Sequence, residues 1–548
     1  MLRKIRDIFY ELFLLLISVS LTSLCFPTVI NLDGFGLLSF ISLIPLFLLI
    51  IRTNYVRAPM HGFLFGFLLY IVYNYWLSTF HPLAIFIAPI IEGAKYMIAF
   101  PLLKLPFSLF KKRGYLLSTL VFVSFYYLAE RGFLGYPYGN ISASFWNYPA
   151  LIQSASITGI WGIIFIQIVF QAFIAERISR RDGLIHFKLD IISYIVLFSI
   201  NLVYGTIAFN YYDNKKAERV IRIASIEHSA DTWIGGSRTY RKNLDTLIRL
   251  TKEAMTENPD MVVWSETAFV PSVTWHMAYP ISSFTSRMVD DFVSFGLSLG
   301  VPLVTGNPEG ILKDPTLPPY LDNGEWNVDY YNTVIYFNNG KVEDTYRKQH
   351  LVPFTEHFPY QELFPRLTAL LIANDYNWWL EGEEPTVFNY DGIGFSTPIC
   401  FEDTFGYLSA AFVRNGSDML INLTNDVWSK STVAEMQHMQ LAVFRAIENR
   451  RPMLRSTNSG ITCLIEPSGK VKDMLEPFIE TYHVYEVPLY QKEGLTFYTR
   501  HTDLFAHLSI FYSFILFFYA IASKALEKKK EKDALSSVFE MMDERVEC

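Results

Sequence analysis

Apolar residues crowd the first two-fifths of the chain into blocks about as long as the ~20-residue helix that crosses a bilayer, separated by short polar or basic loops. About eight blocks are predicted spans: 9–27, 35–51, 58–79, 83–103, 115–132, 150–174, 189–209 and, after a long interruption, 504–524. The interruption has a different rhythm. From Arg219 to about Glu493, short β-rich runs alternate with Asn-Gly and Asp-Gly turns and amphipathic helices, as in a globular α/β domain. Three parts follow: a bundle of about seven spans over 1–211, a globular domain over 219–493, and a last span with a charged tail over 494–548.

The polar loops carry an orientation signal. Basic residues precede the first span (Arg3, Lys4, Arg6) and recur after the second (Arg52, Arg57), the fourth (Lys111, Lys112, Arg113), the sixth (Arg177, Arg180, Arg181, Lys188) and the eighth (Lys528, Lys529, Lys530, Lys532). The alternate loops are nearly free of them, Arg131 excepted. If the spans alternate, the positive-inside rule makes both termini cytoplasmic and sends the globular domain to the opposite side. In a bacterium with two membranes that is the periplasm, with the spans in the inner membrane. Cleavage as a signal peptide is not expected: "SLTSLCF" has Leu24 before Cys25, where a lipoprotein-type site takes a small residue, and losing the first span would break the loop parity.

Composition agrees with a membrane component. The chain is 51% hydrophobic and 16% aromatic, with 18% charged residues, too apolar for a soluble enzyme of its length. A net charge of -7 with no broad basic patch excludes nucleic acid as a partner. Four scattered cysteines, with no C-x-x-C pair, suggest neither a zinc site nor a disulfide framework. Cys463 and Cys548 read as unreactive, and His438 lacks both HExxH spacing and a neighbouring carboxylate pair in the sequence, so no metal is expected. Glu92 and Lys95, three apart in the fourth span, are placed to pair on one helix face.

Three strand ends in the globular domain carry reactive residues. Glu266 follows the buried run in "PDMVVWSETAF"; Lys348 ends a hairpin that turns at Asn338-Asn339-Gly340; Cys400 ends one that turns at Asp391-Gly392. Singly, a solvated glutamate, a surface lysine and a packed thiol are the ordinary readings. Converging at one sheet edge, they supply a base, a cation for an oxyanion and a nucleophile for acyl chemistry.

In that order, "VVWSET", "RKQHLVPFTEHFP" and "PICFED" resemble the Glu–Lys–Cys motifs of the nitrilase superfamily. "DMLINLTNDVWS" and "HMQLAVFRAIENRRPMLRSTNSGIT" resemble the strand, helix and hairpin that follow in its α-β-β-α sandwich. With "GYPYGNISASFWNYPALIQSASITGIWG" before the sixth span and "FYTRHTDLF" before the last, the chain is similar to that superfamily's membrane-bound branch, the apolipoprotein N-acyltransferases. The fold implied is a polytopic α-helical membrane protein carrying a nitrilase-like sandwich.

The resemblance makes Glu266 the base, Lys348 the oxyanion partner and Cys400 the nucleophile, with Glu356 and Glu402 as accessory carboxylates and Trp233 bordering the substrate cavity. Phe401 departs from the family pattern, which has Tyr directly after the nucleophile. The partners implied are a phospholipid acyl donor and diacylglyceryl-modified apolipoproteins, with no cofactor. A tethered amidase using water as acceptor, and a scaffold with a degenerate domain, are the alternatives.

Overall fold

Strand and helix periodicities resolve the globular segment into two sheets, each covered on its outer face by helices. A computed structural model describes the chain except residues 1, 81, 111, 182–186, 233, 282, 359–360, 373–378 and 547–548. Trp233 and Cys548 therefore lie outside the described residues.

The strands are β1 Arg219–Glu227, β2 Met261–Trp264, β3 Leu303–Leu312, β4 Val328–Asn338, β5 Lys341–Arg347, β6 Trp379–Leu380, β7 Phe388–Tyr390, β8 Ile393–Ser396, β9 Met419–Asn425, β10 Met453–Asn458, β11 Cys463–Ile465, β12 Val471–Lys472 and β13 Thr481–Leu489. One sheet runs β13-β1-β2-β3-β4-β5, with β6 beside β4; the other runs β12-β11-β10-β9-β8-β7. Both hold parallel central pairs and antiparallel margins.

Period-two alternation sorts the side chains. On β1, Ile221 and Ile223 join the core between the sheets, while Ala224 and Ile226 face Leu244, Leu247 and Leu250 of the helix Gly236–Met255. The Ser225 and Ser456 hydroxyls hydrogen-bond across the seam at 2.7 Å. Both predicted hairpins form two-residue turns: Asn338 pairs with Lys341 around Asn339 (φ 49°) and Gly340 (φ 80°), and Tyr390 pairs with Ile393 around Asp391 (φ 50°) and Gly392 (φ 76°). Positive φ at both central positions matches strand twist, which is why Asn-Gly and Asp-Gly serve there.

Each of the eight apolar blocks contains a helix, but their lengths differ. Among the described residues five are long and apolar enough to cross a membrane: Ile5–Leu24, Ala84–Leu109, Ile160–Arg180, Lys188–Asn214 and Leu504–Leu526. Gly36–Arg52, Ala58–Tyr73 and Gly114–Ala129 are shorter apolar segments. The protein is a multi-pass membrane protein. The block 150–174 is not one helix: two single turns, Pro149–Ile152 and Ala155–Thr158, precede Ile160–Arg180. Gly159 makes the break at φ 63°, and a β-carbon there would lie 2.5 Å from the Tyr498 ring, so the glycine admits the linker to the last span. Trp161 donates to Asp503 at 2.8 Å from the same break, and Arg131 pairs with Asp503. Glu92 and Lys95 form the expected ion pair at 2.6 Å, and Lys95 also donates to the Ala129 and Leu134 carbonyls.

The helix Thr432–Asn449 joins the two halves. It is buried on every side from Val433 to Asn449, because one face covers the second sheet and the other meets the bundle. Gln437 donates to the Pro27 and Tyr73 carbonyls and accepts from Trp76 Nε1 at 2.9 Å. Arg450, just past the helix, donates to the Gln153 side chain at 2.7 Å. This seam fixes the sandwich on the membrane bundle.

Candidate active site

Glu266 stands just beyond β2, Lys348 just beyond β5, and Cys400 a short step beyond β8, so all three gather at the seam between the sheets. The Glu266 loop crosses β3 closely. A β-carbon on Gly306 would lie 2.3 Å from the Thr267 nitrogen and 2.6 Å from Glu266 Cα, so only glycine permits the approach.

Glu266 is 6% exposed and accepts three hydrogen bonds. Asn332 Nδ2 (2.8 Å) and Lys348 Nζ (3.4 Å) reach one oxygen; the Asn425 backbone N–H reaches the other at 2.9 Å. Lys348 is fully buried and also lies 2.9 Å from Glu356 Oε1. Asn332 bridges the two carboxylates, bonding Glu356 at 2.9 Å, while the second Glu356 oxygen caps the Val352 N–H at 2.8 Å. A buried ammonium between two carboxylates stays protonated: burial alone would lower its pKa, but Glu356 and Glu266 together raise it above the ordinary lysine value. Burial pushes the Glu266 carboxyl up despite Lys348, leaving it a stronger base than a solvated glutamate.

Cys400 is partly exposed and adopts φ 52° at the head of the turn Cys400–Thr404. Left-handed backbone is uncommon away from glycine; here the Asn422 side chain holds the Cys400 carbonyl at 2.9 Å, and strain of this kind clusters at functional sites. Its thiol is raised above the usual range, by burial first and then by the Glu266 charge, with Lys348 pulling the other way. The shift favours the thiol over the thiolate in the resting site.

Glu402 is fully buried and accepts from the Ile399, Gln349 and His350 backbone N–H groups at 2.7, 2.7 and 2.9 Å, and from Tyr346 Oη at 2.9 Å. One carboxylate thus clasps the Cys400 turn to the loop after Lys348. Burial pushes it up to about 7, against the Ile399 N–H and Lys348. The Phe401 ring packs on His350 and Phe405, with its centroid 5.8 Å from Lys348 Nζ.

Other neighbours carry no motif readable in the sequence. Asn332 lies mid-strand in "DYYNTVIYF", where its only signal is a polar residue turned inward. His438 does have a carboxylate pair beside it, contrary to the sequence reading: Asp426 and Asp403 each lie 3.1 Å from a ring nitrogen. They come from different loops, which spacing along the chain cannot reveal. Among the described residues no group of three or more His, Cys, Asp and Glu is arranged to hold a metal ion.

A family model described as carbon-nitrogen hydrolase matches residues 223–492, spanning both sheets and the site. The fold is therefore a nitrilase-like sandwich carried on a membrane bundle. A second model, the apolipoprotein N-acyltransferase N-terminal domain, matches residues 18–173. "Apolipoprotein N-acyltransferase 1" of Treponema denticola is 38% identical over 96% of this chain and 100% of its own length. The protein of that name in Treponema pallidum is 33% identical over 87% of this chain and 90% of its own. The chain belongs to the apolipoprotein N-acyltransferase family. Among solved structures, an amidase from Nesterenkonia sp. is similar at 18% identity, over 50% of this chain and 92% of its own, with a TM-score of 0.35.

Proposed function

We propose that the protein transfers an acyl chain from a membrane phospholipid to the α-amino group of the N-terminal diacylglyceryl-cysteine of apolipoproteins, through a thioester on Cys400. The buried Glu266–Lys348–Glu356 cluster against the Cys400 thiol carries this reading.

In the first half-reaction the Cys400 sulfur attacks the ester carbonyl while Glu266 takes the thiol proton. Lys348, fixed by Glu356, faces the oxyanion. Collapse breaks the ester C–O bond, Glu266 returns the proton to the leaving oxygen, and a lysophospholipid departs. In the second half the lipoprotein amine attacks the thioester, Glu266 takes the amine proton, and the proton passes to the departing sulfur. The product is a triacylated lipoprotein.

The bundle has a physical reason in this scheme. Lifting acyl chains into water costs about 0.8 kcal/mol per exposed methylene, so both substrates react more cheaply beside the bilayer. The division into bundle (1–211), catalytic domain (219–493) and terminal span with tail (494–548), and the placement of the catalytic domain on the periplasmic face of the inner membrane, rest on the apolar blocks and the parity of basic loops.

The test is acyl trapping. Purified protein incubated with phospholipid labelled in its acyl chain forms a hydroxylamine-sensitive adduct on the peptide containing Cys400, absent in Cys400→Ser. Adding diacylated lipopeptide discharges the label onto the peptide amine. Absence of the adduct from the wild-type chain, or discharge to free fatty acid alone with lipopeptide present, overturns the proposal.

A further inference from the structure

Behind Cys400, on the bundle side, lies a buried charge cluster that the scheme above leaves unused. His438, 2% exposed on the helix Thr432–Asn449, directs Nδ1 to Asp426 and Nε2 to Asp403, each at 3.1 Å. A neutral imidazole has one N–H and satisfies only one acceptor as a donor; an imidazolium satisfies both. The two carboxylates belong to the two segments that carry the nucleophile and hold the base. Asp403 sits in the Cys400–Thr404 turn, and Asp426 follows Asn425, whose backbone N–H bonds Glu266. Asp426 is also charge-coupled to both the Cys400 thiol and Glu266, raising each.

We propose that His438 is a positioning residue of the acyl-transfer site: an imidazolium donating to Asp403 and Asp426 at once, it ties the nucleophile's turn to the segment that bonds the base and offsets the Asp426 charge beside the thiol. The inference rests on the thioester reading above.

Arg455, from β10, pairs with Asp403 and lies 4.0 Å from Asp426. Glu435, one turn earlier on the same helix, bonds Ser429, and burial and the Asp426 charge raise it well above the ordinary carboxylate value. Tyr138, from the bundle, stands with its ring 6.0 Å from His438 and closes the remaining side. Two anions, Asp403 and Asp426, thus face two cations, His438 and Arg455. Burial would lower the His438 pKa, but Asp426 and Asp403 lift it to about 9. Removing the imidazolium leaves Asp426 facing the thiol with Arg455 alone to balance it.

Three measurements test this on the full-length protein in phospholipid nanodiscs. In the wild type, the pH dependence of hydrogen exchange at the His438 C2 position, read by mass spectrometry, has its midpoint near 9; a midpoint below neutrality overturns the proposal. In His438→Gln, alkylation of Cys400 by iodoacetamide, followed on its own peptide, shifts its pH midpoint upward by about one unit, as an uncompensated neighbouring charge demands. In Asp426→Asn/His438→Gln the midpoint returns to the wild-type value. A uniform fall in rate with unmoved midpoint in His438→Gln marks a merely structural role and overturns the proposal. Should that variant fail to fold, the wild-type exchange midpoint decides alone. Failure of the thioester reading appears separately, as no acyl adduct on wild-type Cys400.

Discussion

Lys348 is inserted between two carboxylates with no exposure to water, and its behaviour on mutation follows from that placement. Removing one member of a buried charged cluster leaves its partners uncompensated, a cost far above that of any surface pair. Glu356→Gln is predicted to lower acyl-enzyme formation on the order of a hundredfold, with labelled phospholipid as the readout and the melting temperature as control for folding. Phe401 supplies packing, its ring set among His350, Phe405 and Lys348. Phe401→Ala is predicted to destabilise the site by about 3 kcal/mol or more, seen as a lowered melting temperature together with slowed acylation. The pH profile carries a sign that can be worked out. In the proposed mechanism Glu266 is the base and works only when ionised, and its pKa is raised, so activity falls as pH drops through that raised value. The acid limb of kcat is predicted above the ordinary glutamate value of about 4.3, and a limb at or below it contradicts Glu266 as the base.

The helix Thr432–Asn449 is the element on which the two halves depend. Its polar residues are spent on specific partners in the bundle: Gln437 on Trp76, Pro27 and Tyr73, and Gln440 on the Tyr73 hydroxyl. Truncating Gln437 strands a buried indole N–H and leaves two carbonyls without this donor. Gln437→Ala is therefore predicted to cost about 1–3 kcal/mol, measured as a lower melting temperature in detergent and as earlier proteolysis between bundle and sandwich. A helix apolar on one stripe alone would tolerate that change; one buried all round does not.

Orientation is a property of the chain taken end to end, and it rests on alternating basic loops. The three shorter helical segments matter here, because the parity requires each of them to cross. A membrane-impermeant maleimide applied to spheroplasts distinguishes the cases, using single cysteines at Val56, in the loop after the second block and 89% exposed, and at Asp322, exposed in the globular domain. The Asp322 variant is predicted to react and the Val56 variant to stay unreactive until the membrane is opened. Equal labelling of both in intact spheroplasts refutes the assignment.

Local patterns carried much of this protein. Blocks of apolar residues located the membrane helices, because bilayer thickness sets a length that composition must fill. Asn-Gly and Asp-Gly placed both hairpin turns, because few residues adopt positive φ twice in succession. The Glu266, Lys348 and Cys400 motifs were legible because each sits beside a strand with its own signature. The partners of those residues were not. Asn332, the Asn425 N–H, Asp403, Asp426 and His438 reach the site from four separate stretches of chain, and hydrogen bonds between distant segments leave no period in a sequence. Nor did the block 150–174 reveal its break: Gly159 turns at φ 63° where the ring of Tyr498, from far along the chain, packs against the place of a β-carbon. Periodicity is written into the chain one neighbour at a time. Charge balance around the thiol exists only once two sheets and a membrane bundle have closed on it.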